Sequence, residues 1–183
     1  WLLVLVIANI FTTQVIAMND AVLTEVVLLA AFIPLLIGTG GNVGAQSSTV
    51  VIRGLSTQRI QALGPWRAVF REAVAGALLG LLMLVVVVPF AWWRGDGPLV
   101  GMAVGISLMA ITTLAATAGA ALPLLFNRMS LDPALMSAPF ITTATDVAGV
   151  FIYLKTAEWL LLNAPQLLER ASISTQLATP LTF

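Results

Sequence analysis

Five apolar stretches follow one another along the chain, over about residues 1–17, 21–52, 68–93, 99–126 and 133–162. A helix needs about 20 predominantly apolar residues to cross a bilayer, and every stretch but the first reaches that length. Only 9% of the residues are charged and 60% are hydrophobic, so charged side chains are too few to cover the core of a water-soluble domain. The sequence therefore predicts an all-α membrane protein with five transmembrane helices.

The residue types that are missing narrow the possible chemistry. The chain has no cysteine and no histidine, which excludes disulfides, thiolate metal sites and histidine-based catalysis. Its formal net charge is zero, which argues against a nucleic-acid partner because such a partner requires a basic excess. Carboxylate, hydroxyl, amide and backbone oxygens remain. These are hard ligands, which suit Mg²⁺ or Ca²⁺.

The basic residues predict the orientation in the membrane. Arginines are concentrated in the loops after the second and fourth stretches, whereas the loops after the first and third contain only Arg94. Because short arginine-rich loops stay in the cytoplasm, the N-terminus is predicted to be cytoplasmic and the C-terminus external. The loop arginines are Arg53, Arg59, Arg67, Arg71 and Arg128.

The chain opens with the apolar residues WLLVLVI, which lack a basic segment and a cleavage site. We therefore expect no signal peptide. We also expect that the chain belongs to a longer protein whose amino-terminal part is missing.

Asp146 lies about 14 residues into the fifth stretch, near the predicted membrane centre. A carboxylate at that depth costs about 2.5 to 3.5 kcal/mol on insertion scales. Thr142 and Thr143 occupy the preceding turn and Gly149 the following one, and no basic residue lies within a turn. We interpret Asp146 as a functional site, with a helix-to-helix hydrogen bond from a protonated carboxyl as the alternative.

Small residues fill part of the second stretch, residues 38–49 (GTGGNVGAQSST). Closely spaced glycines permit unusual backbone dihedrals, and non-helical backbone at membrane depth is tolerated only inside protein or beside water. The segment therefore predicts irregular backbone that faces the protein interior. Tight helix packing is the alternative, but it does not account for the side-chain amides of Asn42 and Gln46, which lie one turn apart on the same face. Together with Gly38 and Gly41 they form a face that can hold the waters of a hydrated cation.

Other features have simpler interpretations. Gly76 with Gly80, and the corresponding pair in the fourth stretch, Gly101 with Gly105, predict close helix packing. Asp132 directly precedes a proline at the start of the fifth stretch, where we expect it to cap the helix. A cation contact at the inner end of the span is the alternative for Asp132.

Two segments resemble the signature blocks of the MgtE-type magnesium channels: PLLIGTGGNVGAQSSTVVIRGL (34–55) and LDPALMSAPFITTATDVAGVFIY (131–153). The resemblance implies a homodimer with five membrane helices per subunit in a bacterial plasma (inner) membrane. The pore would lie on the two-fold axis, between the second and fifth helices. It also implies cytoplasmic amino-terminal and CBS regulatory domains, which this chain lacks.

By motif position, the resemblance places the pore carboxylate at Asp146 and an inner carboxylate at Asp132. Members of this family often have a polar residue eight positions before the pore carboxylate, where this chain has Ala138. This difference favours Thr142 and backbone carbonyls as the groups that line the pore at this level. The expected metal contacts are Asp146, Thr142, Asp132 and Asn42. The expected pore-lining residues are Gly38, Gly41, Gln46, Thr143 and Gly149.

The predicted function is a passive Mg²⁺ channel that also conducts Co²⁺ and other divalent ions less well. The protein is expected to contact membrane lipid. Mg²⁺ keeps several waters and uses one or two carboxylates, and two copies of Asp146 facing each other would repel without a cation between them. A secondary transporter coupled to protons or Na⁺ is the alternative. An intramembrane enzyme is not expected, because no second carboxylate is placed to act with Asp146, and a scaffold needs no carboxylate at the membrane centre.

Overall fold

Helices make up the regular structure in the part of the chain that the computed structural model describes, residues 2–19, 27–133 and 140–160. The prediction of an all-helical chain is confirmed over these ranges. Within these residues, three segments are long and apolar enough to cross a membrane: Leu28–Ser56, Pro65–Arg94 and Pro98–Arg128. The elements are α1 (Leu2–Ala17), a 3-10 helix (Val27–Phe32), α2 (Ile33–Ser56), α3 (Arg59–Leu63), α4 (Pro65–Arg94), α5 (Pro98–Arg128) and α6 over 140–160.

Proline sets the start of the two longest helices. α4 begins at Pro65, directly after Gly64 with φ +90°, and α5 begins at Pro98, directly after Gly97 with φ +89°. Proline suits the first helical position because its fixed φ is already helical and its missing N–H would have no partner there. α4 therefore starts three residues before the predicted third stretch, and Arg67 and Arg71 lie on its first turns instead of in a loop.

The glycine-rich segment of the second stretch forms regular helix. α2 continues without a break from Ile33 to Ser56, and in the described residues the only glycines with positive φ are Gly64, Gly95 and Gly97. The prediction of irregular backbone in this segment is therefore wrong. Gly40 and Gly44 serve close packing instead, because neighbouring helices approach α2 where these two side chains are absent.

α4 and α5 form an antiparallel pair that packs through the two predicted glycine pairs. A β-carbon added at Gly76 would lie 2.7 Å from Cβ of Ala116, and one added at Gly101 would lie 3.1 Å from Cβ of Ala91. The buried Thr112 hydroxyl donates a hydrogen bond to the Gly76 carbonyl, at 2.9 Å. The assignment of these glycines to packing is confirmed.

α5 is the central helix, and α4 lies outside it. α5 packs against both α4 and α2, and most of its buried residues are small, which lets the backbones approach. The opposite side of α4 exposes large apolar side chains, as expected for a face turned toward lipid. These include Leu78, Leu82, Val85 and Val86.

A buried hydrogen bond joins α6 to the 3-10 helix before α2. Tyr153, the only tyrosine in the chain, is fully buried, and its hydroxyl donates to the Leu29 carbonyl at 2.9 Å. Side-chain hydrogen bonds between membrane helices contribute about 0.6 kcal/mol on average and up to about 1.7 kcal/mol. The bond therefore helps to hold the entry to α2 against α6.

Replacing Tyr153 with phenylalanine is expected to lower the stability of the purified protein in detergent by about 1 kcal/mol, because the Leu29 carbonyl loses its donor while the ring packing is kept. The midpoint of thermal unfolding, followed by circular dichroism, measures the change. Thr13→Val is the control, since the exposed Thr13 hydroxyl donates to the Asn9 carbonyl in its own helix. An equal loss in both variants would contradict the role of the Tyr153 bond.

Candidate functional site

The glycines of α2 form a contact with α6. A β-carbon added at Gly40 would lie 3.7 Å from Cβ of Thr145, and one added at Gly41 would lie 3.7 Å from Cγ2 of Thr142. One turn further along α2, Gly44 lies against Ile141. As the position on α2 rises, the position on α6 falls, so the two helices run antiparallel at this contact.

The position of Asp146 relative to α2 follows from this antiparallel contact. Asp146 comes one residue after Thr145, so it lies at about the level of Thr39 and Gly38 on α2. Asp146 is half-buried, and a β-carbon added at Gly38 would have no heavy atom within 4 Å. In the described ranges the ion pairs are Arg94 with Asp96 and Lys155 with Glu158, so Asp146 has no cationic partner there. Its carboxylate is thus level with an open position on α2.

A polar face runs along the outside of α2. It consists of Gly38, Asn42, Gln46 and Thr49, which recur at helical spacing and are all exposed. The Thr49 hydroxyl donates to the Ala45 carbonyl at 2.9 Å, whereas the amides of Asn42 and Gln46 have no hydrogen bond within the part of the chain that the structure describes. We call these four residues the polar face of α2. It points away from the buried side of α2, which includes Gly40 and Gly44, except that Gln46, at its edge, also lines a small cavity toward α4.

The predicted residues of α6 have different surroundings. Thr142 is half-buried beside Gly41. The Thr143 hydroxyl is buried and has no hydrogen-bond partner among the described residues. A β-carbon at Gly149 would lie 3.5 Å from Cδ1 of Ile111, so Gly149 faces α5 and serves helix packing within the chain. This placement gives no support to Gly149 as a pore-lining residue.

The remaining predicted positions lie apart from this contact. Asp132 is exposed in the connection that follows α5, outside the contact between α2 and α6. Ala138 lies outside the described residues. Over residues 2–19, 27–133 and 140–160, no group of three or more acidic, histidine or cysteine side chains could hold a metal ion. Within these residues, ligation of a cation by one chain would depend largely on water, hydroxyls and carbonyls.

Sequence reasoning missed the surroundings of Glu72. This half-buried carboxylate lines a cavity of about 130 Å³ together with Gln46, Ser47 and Gly76. The cavity lies where α2, α4 and α5 meet. A charged residue within an apolar helix is a signal that the sequence contains. Its proximity to Gln46 depends on how α2 and α4 cross, which no local pattern encodes.

These features together define the class of the protein. Long apolar helices pack against one another through glycines. One of them, α2, has exposed amides, and α6 beside it contains a carboxylate. Such groups within apolar helices are typical of a polytopic membrane protein that handles a polar solute. A sequence model of the MgtE family, described as divalent cation transporters, matches residues 33–156. The chain belongs to the MgtE family of divalent cation transporters, and the resemblance seen in the sequence is confirmed.

Three curated relatives are magnesium transporters of the same name, MgtE. The protein from Thermus thermophilus is 42% identical over 162 residues, which cover 88% of this chain and 36% of the relative. The protein from Enterococcus faecalis is 34% identical over 161 residues, covering 86% and 35%. The protein from Bacillus subtilis is 33% identical over 155 residues, covering 84% and 34%. The chain thus spans about a third of the length of the curated relatives it matches.

Proposed function

We propose that this chain forms the ion-conducting part of a magnesium transporter and that it works as a passive channel for Mg²⁺. The observation that carries the proposal is the polar face of α2 beside Asp146. Two amides and a glycine are uncovered at the middle of a helix long enough to cross a bilayer. Lipid cannot satisfy such groups, so this face lies against water, an ion or another subunit.

A second copy of the chain is the simplest cover for this face. Soluble and membrane oligomers are mostly closed and symmetric, and a two-fold axis brings the same surface of each copy together. An axis beside α2 and α6 places the two polar faces opposite each other, with the two Asp146 side chains between them. In this arrangement α1 and α6 complete five membrane helices per subunit. The arginines near the end of α2 and the start of α4 then lie in the cytoplasm of a bacterial cell, with the N-terminus on the same side.

The chemistry of Mg²⁺ explains why two carboxylates suffice. Mg²⁺ demands octahedral oxygen ligands at about 2.0–2.1 Å and gives up its water reluctantly. Two Asp146 carboxylates that accept hydrogen bonds from the waters of Mg(H₂O)₆²⁺ balance its charge without stripping its shell. Asn42, Thr142 and Gln46 offer further oxygens to the same waters. Because contact runs through water, the ion is held weakly enough to leave, as conduction requires.

A channel and a coupled transporter differ in what drives uptake. In vesicles containing the purified chain, a negative interior potential set by K⁺ and valinomycin should drive Mg²⁺ entry with no H⁺ or Na⁺ gradient. Because each Mg²⁺ carries two charges, 100 mV supplies about 4.6 kcal/mol. Uptake that required a proton or Na⁺ gradient would contradict the channel proposal while leaving Mg²⁺ transport in place.

Cysteine labelling tests where the polar face of α2 lies. The chain contains no native cysteine, so single-cysteine variants report one position each. Asn42→Cys is expected to cross-link two copies in membranes with a short bifunctional maleimide, and a water-soluble thiol reagent should block Mg²⁺ flux through this variant. Both results follow if Asn42 lines a water-filled pore on a two-fold axis.

Val85→Cys is the matched control, since Val85 is 59% exposed on the apolar side of α4. We expect no cross-link and no block for this variant, because the residue faces lipid. Equal reactivity of the two variants, or cross-linking only through Val85→Cys, would contradict the proposed interface.

A further inference from the structure

A larger cavity lies at the carboxyl-terminal end of α2, next to the cavity of about 130 Å³, with which it shares Glu72. It has a volume of about 490 Å³ and opens between the last turns of α2, the short helix α3 and the first turns of α4. Ligand pockets in proteins occupy about 300–1,000 Å³, so the space is sufficient for a headgroup. Three arginines and one glutamate line it: Arg53, Arg59, Arg71 and Glu72.

The arginines of this cavity are available to a ligand. All three are exposed, and neither ion pair in the described part of the chain involves any of them. With Glu72 as the only acidic residue of the lining, the cavity has an excess of positive charge. Guanidinium groups present a planar fork of donors that matches the oxygens of a phosphate. The cavity therefore favours an anion of the phosphate type.

The remaining walls of the cavity are mostly apolar, with Thr57 as the one further polar side chain. The apolar residues are Val50, Val51, Ile60, Leu63 and Ala68. Because the cavity lies where two membrane-spanning helices end and begin, it is at a membrane surface. Trp66, the second residue of α4 and 81% exposed, is the kind of residue that marks the boundary between headgroups and acyl chains. A charged end and an apolar wall at that depth match a phospholipid better than a free anion.

We propose that this cavity binds the headgroup of an anionic phospholipid from the cytoplasmic leaflet, with the phosphate on Arg53, Arg59 and Arg71 and the upper acyl chain along Val50 and Leu63. Basic pockets between membrane helices on this side of a bilayer attract such headgroups. This lipid site goes beyond Mg²⁺ conduction and does not depend on it. Occupation would tie the end of α2 to the start of α4.

Binding of a fluorescent phosphatidylglycerol to the whole chain, in a neutral detergent, tests the proposal. Unlabelled phosphatidylglycerol should displace the probe, whereas phosphatidylcholine and inorganic phosphate should require at least about tenfold higher concentrations. The double variant R53Q/R59Q should weaken phosphatidylglycerol binding at least about tenfold. The matched control is R67Q/R128Q, which removes two arginines of the same membrane side that do not line the cavity, and it should change binding by less than about threefold.

Three results would overturn the site. Equal losses in the two double variants would mean that surface charge alone attracts the lipid. Displacement by inorganic phosphate as effective as that by the lipid would mean that the cavity is a free-anion site. Equal displacement by phosphatidylcholine would mean that the anionic headgroup is not recognised. If R53Q/R59Q does not fold, Leu63→Trp fills the cavity without changing its charge and is expected to cause the same loss; unchanged binding would overturn the proposal.

Discussion

Replacing Asp146 with asparagine is expected to reduce potential-driven Mg²⁺ flux on the order of 100-fold or more. The substitution keeps the shape of the side chain but removes the charge that, in the proposed pore, faces the hydrated ion. A hydrogen bond to a charged group contributes about 1.5–3 kcal/mol. In the proposed dimer each subunit loses one such bond, so about 3 kcal/mol or more is lost, which corresponds to at least about two powers of ten. Uptake into vesicles loaded with a Mg²⁺-sensitive dye measures the flux. Asp146→Ala should abolish it with the dimer intact.

Glu158→Gln is the matched control for Asp146→Asn. Glu158 lies on the same helix, its carboxylate is paired with Lys155 at 2.6 Å, and the side chain of Lys155 is 49% exposed. Removing this charge should change Mg²⁺ flux by less than about twofold, because a solvent-exposed ion pair contributes little. If Asp146→Asn conducts Mg²⁺ like the control, Asp146 is not the pore carboxylate.

Replacing Gly119 with alanine is expected to lower stability by about 1–3 kcal/mol, because the added methyl group meets helix backbone. The added β-carbon would overlap the carbonyl oxygen of Gly44 and lie 3.1 Å from Cβ of Ser47. The obstacle is helix backbone, which cannot rotate away, so α2 and α5 must separate. For a chain of this size the thermal midpoint should fall by about 2–12 °C, as circular dichroism in detergent can measure.

Gly38→Ala is the control for this prediction. Gly38 also lies on α2, but a β-carbon there would meet no heavy atom within 4 Å. The stability of the Gly38→Ala variant should equal that of the unmodified protein or exceed it by up to about 1 kcal/mol, since alanine has a higher helix propensity than glycine. A midpoint for Gly119→Ala that equals that of Gly38→Ala would show that α2 and α5 do not meet as closely as we describe.

The sequence predicted the membrane class and the helical content, whereas its assignment of residues to the site stays a prediction. Hydropathy over long windows carries that information, because each apolar stretch must satisfy its own backbone hydrogen bonds in lipid. Asp146 could be singled out because a carboxylate is costly at membrane depth. The position of Asn42 and Gln46 on a common face followed from helical spacing alone.

The roles of individual glycines could not be predicted from the sequence. The sequence does not distinguish one glycine of these helices from another. In the structure, however, Gly44 lies against Ile141 and Gly149 lies against Ile111, whereas a β-carbon at Gly38 would have no heavy atom within 4 Å. Which face of α2 is covered depends on how α5 and α6 cross it, and that is a property of the packed helices. The regular backbone of α2 was missed for the same reason, since neighbouring helices stabilise a glycine-rich helix that local propensity disfavours.

The most direct test of the pore is to locate the ion. We expect a crystal of the chain grown with Mn²⁺ in place of Mg²⁺ to show one anomalous peak on a two-fold axis, between the Asp146 carboxylates of two copies. A metal held through its own waters should lie about 4–5 Å from the carboxylate oxygens, the sum of a metal–water distance and a hydrogen bond. A peak elsewhere, no peak, or direct ligation at about 2.1 Å would contradict a hydrated ion held by paired Asp146 side chains.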